Sequence, residues 1–96
     1  MAVYFVAQIS IHDRAEYSKY EAGFMPVFEK YKGRLLAVDE APEVLEGTWN
    51  CTRTVLIEFP TREDALAWAG SAEYQAIAKH RWAASTGNVA MIKSLS

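Results

Sequence analysis

The chain has 96 residues and a mass of 10.8 kDa, 51% hydrophobic and 23% charged, which is room for one globular domain over residues 1–96 and excludes a multidomain or disordered reading. Ten Lys and Arg against twelve Asp and Glu give a net charge of −2 with no basic run, so the footprint of nucleic-acid binding is missing, and the single Cys51 rules out an internal disulfide or a cysteine-rich zinc site. Apolar stretches fall well short of the roughly 18 residues of a membrane span, and the opening Met1 to Ile9 lacks the basic region and cleavage site of a secretory signal, so the expected location is the cytoplasm, away from any membrane.

Residues 3–9 (VYFVAQI) are apolar, β-branched or aromatic and predict a strand, which runs into a turn at Ser10 to Asp13. Asp13 with Glu16 three residues on has the pattern of a capping box, so a helix is expected from Arg14. Tyr17, Tyr20, Phe24, Val27, Phe28 and Tyr31 mark one face of it, and it ends before Gly33. Gly23 and Pro26 predict a kink or brief break, because proline withholds the amide that would bond Ala22. A second strand is expected over 33–38, followed by a bend and a further extended piece over 43–46.

Residues 53–59 (RTVLIEF) form the third strand, whose period of two puts Arg53, Val55, Ile57 and Phe59 on one face and Thr54, Leu56 and Glu58 on the other. Thr61 and Asp64 begin another helix, which stops at Gly70 and restarts at Ser71. The restarted helix carries Tyr74, Ile77, Ala78 and Arg81 on neighbouring turns and runs out at 85–87, ahead of a last strand over 88–93.

The order βαββαβ in so short a chain predicts an α+β, ferredoxin-like fold: a four-stranded antiparallel sheet with the helices on one face. Such a sheet should be polar on its second face, yet Tyr4, Val6 and Leu56 lie opposite Phe5, Ala7, Val55 and Ile57. Helices shelter one face only, so a second copy of the same sheet is expected on the other, and the predicted assembly is a homodimer. Burying about 400 Å² of apolar surface per subunit would contribute on the order of 10 kcal/mol before the costs of association.

The block Glu43-Val44-Leu45-Glu46-Gly47-Thr48-Trp49, then Arg53-Thr54-Val55, Glu58-Phe59-Pro60, Ala67-Trp68 and Ser71-Ala72-Glu73-Tyr74-Gln75 with Arg81, resembles the DUF1330 family. Tyr17, Tyr20 and the Tyr31-Lys32-Gly33-Arg34 stretch extend the resemblance over nearly the whole chain. It implies a small dimeric α/β barrel and no single reaction. Related barrels include cofactor-free monooxygenases, haem-degrading enzymes and proteins with no assigned chemistry.

Arg53 carries the most information, because alternation puts a permanent cation on an apolar strand face, where it needs a partner. Either its head reaches solvent or pairs with a carboxylate such as Glu46, or its planar fork takes the carboxylate of a ligand at the mouth of a pocket. Arg81 either joins it or bridges to a structural acid. His12, beside Asp13, and the hydroxyl of Tyr17 are the candidates for moving a proton, and His80 has no recognisable catalytic setting. Trp68 and Tyr74 are candidate pocket walls. Trp49, in a connection after Gly47, either covers a pocket or packs across the dimer. Cys51 lacks a histidine nearby in sequence to activate it, and no metal, phosphate-loop, dinucleotide or other cofactor motif is present. Three functions compete: a barrel that binds, or binds and transforms, a small organic acid or aromatic metabolite near Arg53; a non-catalytic structural or regulatory dimer; and a cofactor-free monooxygenase-like enzyme.

Overall fold

The computed structural model describes residues 1–95. The elements follow in the order β1 (Val3–Ile11), α1 (Arg14–Phe28), β2 (Arg34–Asp39), β3 (Arg53–Phe59), α2 (Arg62–Ala69), α3 (Ala72–Ala84) and β4 (Ser85–Lys93). The four strands form one sheet in the order β2-β3-β1-β4, with every neighbouring pair antiparallel, which is the ferredoxin-like plan. No helix is long and apolar enough to cross a membrane.

Local chemistry sets the helix starts. Asp13, Thr61 and Ser71 sit in extended backbone, and each side chain accepts the amide N–H three residues on, at 3.1 Å. The capping box at Asp13 is half made: Glu16 turns outward to Lys19 and His80 instead of reaching back.

Three expectations need correction. Helix α1 runs unbroken through Gly23 and Pro26 to Phe28. Pro26 falls in the last turn, where the helix is about to end, and the Glu29 amide still reaches the Met25 carbonyl at 2.9 Å. The chain leaves β2 through a turn in which the Asp39 carboxylate accepts the Ala41 amide at 2.9 Å. Strand β2 lies one residue later than expected, and a bulge between Leu35 and Ala37 resets its alternation. Strand β4 starts at Ser85, with no loop after α3, because β1 extends to Ile11 and pairs Ser85, Thr86 and Gly87 with Ile11, Ser10 and Ile9. The Ser85 hydroxyl closes the helix by donating to the Arg81 carbonyl at 2.5 Å.

The sheet face under the helices carries Val3, Phe5, Ala7 and Ile9 from β1 and Val55, Ile57 and Phe59 from β3. It is filled at one end by rings. Phe59, Phe28 and Trp68 meet with centroids 5.4 to 6.0 Å apart, and a Cβ at Gly33 would lie 2.6 Å from Phe28 and 2.7 Å from Phe59. Helices α1 and α3 pack on each other at Gly23, where a Cβ would come within 2.6 Å of Ile77. That close approach ties the helices to one another, while the small Ala7 lies opposite Val55 and Val89 in the middle of the sheet. The space left beneath the helices is the candidate site.

Candidate functional site

A cavity of about 440 Å³ opens between the inner sheet face and helices α1 and α3, within the size range of small-molecule sites. Its floor is Phe5, Ala7, Ile9, Val55 and Ile57, joined by Leu35 and Val38 from β2. Helix α1 supplies Tyr17, Tyr20 and Phe24 at the three- and four-residue spacing that keeps side chains on one face. Helix α3 supplies Tyr74 and, two turns later, Arg81; Trp68 comes from α2, and Arg53 from the first position of β3.

The aromatic wall is continuous. Tyr17 and Tyr20 have ring centroids 5.5 Å apart, Tyr20 and Tyr74 6.2 Å, and Tyr74 and Trp68 4.3 Å. The hydroxyls of Tyr20 and Tyr74 share a buried hydrogen bond of 3.0 Å. Burial raises the pKa of both Tyr17 and Tyr20 above the ordinary phenol value of 10, outweighing the opposite pull of Arg53 and Arg81. Both hydroxyls therefore stay protonated at neutral pH and serve as neutral donors.

Each of the two tyrosines on α1 carries an arginine over its ring: Arg53 at 5.6 Å from the Tyr17 centroid and Arg81 at 5.8 Å from the Tyr20 centroid. The two cations differ in company. Arg53, its side chain 14% exposed, pairs with Glu21 of α1 at 3.3 Å and with Glu40 just beyond β2, and Glu40 also holds Arg14 at 3.2 Å. The carboxylate expected from sequence, Glu46, is not among its partners. Arg81, half-buried, has no ion pair among the described residues. Its Nη1 lies over Gly87, where a Cβ would be 3.2 Å away.

Among the described residues, three buried side-chain polar atoms lack a hydrogen-bond partner: the Tyr17 hydroxyl, Arg53 Nε and Trp68 Nε1. All three belong to residues that line the cavity. An unmet buried polar group costs about 1–3 kcal/mol, and these three atoms lie behind the cavity surface, sealed from solvent.

The structure thus brings together five of the residues singled out from sequence: Tyr17, Arg53, Trp68, Tyr74 and Arg81. It leaves two apart. His12 is exposed in the turn after β1, its amide bonded to the Ala84 carbonyl at 2.9 Å, and it does not border the cavity. Trp49, 41% exposed, donates its indole N–H to Thr54 Oγ1 at 2.9 Å, and Thr54 alternates onto the sheet face away from the helices. His80 pairs with Glu16 at 2.5 Å, linking α3 to α1. Sequence reasoning passed over Glu21, which lines the cavity. Glu21 stands four residues after Tyr17, and that spacing was the available signal. Among the described residues, no group of three or more His, Cys, Asp or Glu side chains is placed to hold a metal ion.

The family model for a domain of unknown function, DUF1330, matches residues 2–95. Comparison with curated proteins gives no match. Among solved structures, a protein of unknown function from Rhodopseudomonas palustris superposes with a TM-score of 0.83 at 18% identity, covering 99% of this chain and 83% of that one. SnoaB, a cofactor-independent oxygenase from Streptomyces nogalater, gives 0.70 at 15% identity over 99% and 94% of the two chains. A dimeric protein of unknown function and ferredoxin-like fold from Bacteroides fragilis gives 0.70 at 15% identity over 97% and 96%. At these identities the likeness is one of fold.

Proposed function

The chain belongs to the DUF1330 family, and from that premise we propose that it is a small-molecule-binding member, one that holds a small organic acid or aromatic metabolite in the cavity beside Arg53 and Arg81. The observation that carries this reading is an aromatic cavity of about 440 Å³ bordered by two guanidinium groups, each laid over a tyrosine of its wall. A ligand ring packs against Tyr20, Tyr74 and Trp68, where offset and edge contacts between rings are favourable. Its acidic oxygen atoms take charge-assisted hydrogen bonds from the arginines that border the cavity. Of the two proton-transfer candidates, Tyr17 lines the cavity with its hydroxyl buried, and His12 stands outside it. The activity named for the Streptomyces nogalater protein is not carried over, because fold alone does not choose a reaction.

The working unit in this reading is a homodimer closed over the helix-free sheet face. Tyr4, Val6 and Leu56 alternate onto that face together with Ile92, which is 50% exposed in the single chain. The Bacteroides fragilis neighbour, described as dimeric, supports it.

Binding is tested by fluorescence titration, since Trp68 and Trp82 both line the cavity. Small aromatic acids are expected to change the emission saturably. A flat response across such a panel, from protein shown to be folded, would remove the reading.

A further inference from the structure

The two arginines of the cavity are equal in charge but unequal in availability, and this inference, which rests on the binding reading above, follows from that difference. Arg53 is held by Glu21 and Glu40, which come from two different elements. An anion approaching it meets two carboxylates already in place and must displace one of them. Arg81 has no carboxylate on it among the described residues, lies over the ring of Tyr20, and is seated against the bare backbone of Gly87. A guanidinium that borders an aromatic cavity without a counter-ion presents its fork to whatever enters.

We propose that the cavity selects an aromatic monocarboxylate whose carboxylate is anchored by Arg81, not Arg53, while its ring lies against Tyr20, Tyr74 and Trp68. One unpaired cation in the cavity fits one negative charge. A second charge on the ligand would have to face the Glu21 carboxylate, which also borders the cavity. The ring requirement follows from the unbroken run of aromatic side chains from Tyr17 to Trp68. Arg53 then has a separate duty: it braces α1 against the β2–β3 end of the sheet.

Purified full-length protein titrated with cinnamate, cinnamamide and hexanoate tests each part. Cinnamate is expected to bind saturably, with the neutral amide and the aliphatic acid at least about tenfold weaker, the scale of one charge-assisted contact. Arg81→Gln should erase the preference for acid over amide while leaving amide affinity in place. Arg53→Gln should keep that preference, whatever it does to both affinities. Gly87→Val, which presses on the Arg81 seat without removing its charge, should narrow the preference in a folded chain. Equal binding of acid and amide by the wild type, a preference that survives Arg81→Gln, or one lost in Arg53→Gln would overturn the anchor. Hexanoate binding as tightly as cinnamate would overturn the aromatic class. Each of these results would leave the cavity reading standing. No saturable binding of any of the three, with near-ultraviolet circular dichroism showing a folded protein, would overturn both.

Discussion

The Tyr17 hydroxyl is sealed from water together with its ring, and among the described residues it has no hydrogen-bond partner. A hydroxyl in that position is a liability to the fold, since its lost hydration is not replaced. Tyr17→Phe is therefore expected to leave ligand-free stability unchanged or raise it by up to about 1 kcal/mol in urea titrations. A loss of more than about 1 kcal/mol would mean that the hydroxyl has a structural partner after all. Arg53 predicts the opposite. Its largely buried guanidinium joins Glu21 and Glu40, both nearly half exposed, so Arg53→Gln should destabilise by about 1–2 kcal/mol, between the values for surface and buried pairs. An unchanged urea midpoint would show that the bridges are too well solvated to matter. At this scale the sequence told that Arg53 needs a partner, because alternation put a cation among Val55, Ile57 and Phe59. It did not tell which partner, because Glu21 is 32 residues away and Glu40 13, and only the fold brings them within reach.

Helices α1 and α3 form the roof of the cavity, and their mutual grip has a titratable component outside the cavity lining. Glu16 of α1 accepts from Lys19 at 3.1 Å and meets His80 of α3 at 2.5 Å. These hydrogen bonds, that of His80 first, lower the Glu16 pKa below its ordinary 4.5. A carboxyl whose folded value lies below its unfolded one contributes stability that is complete above pH 4.5 and fades as the pH falls through the lowered folded value. The wild type should thus lose stability more steeply between about pH 5 and about pH 3 than Glu16→Gln, as read by chemical denaturation at each pH. Parallel curves would mean that the clasp is silent. The elements that hold this roof were legible where local chemistry fixes them: the three caps at Asp13, Thr61 and Ser71 are each a single side chain and an amide three residues on. The boundaries that misled depend on distant partners. Ser85, Thr86 and Gly87 have turn chemistry, and it is pairing with the far end of β1 that makes them strand.

The sheet as a whole has two faces that were told apart by period alone, and only one has a cover. Beneath the helices lie the cavity and the ring cluster; on the other side Tyr4, Val6, Leu56 and Ile92 share the surface with Gln8, Thr54 and Glu58. Trp49, which the sequence could place either on a pocket or across a dimer, bonds to Thr54 on this second side. A loop indole laid toward a half-apolar face adds to the surface that a second copy would bury. Joining about 400 Å² of such surface per subunit is worth on the order of 10 kcal/mol, enough to offset association costs of similar size. Leu56→Arg tests the pairing with little threat to the single chain, because the side chain stands at the centre of the helix-free face, away from the buried core. Sedimentation at micromolar concentration should give about twice 10.8 kDa for the wild type and a single-chain mass for Leu56→Arg, with circular dichroism unchanged. Because the cavity lies on the opposite face of the same sheet, the separated variant also asks whether the site needs the pair. If Leu56→Arg is monomeric and still binds cinnamate as the wild type does, the site is complete within one chain. If binding disappears with the dimer, the second sheet is what holds the floor of the cavity in shape.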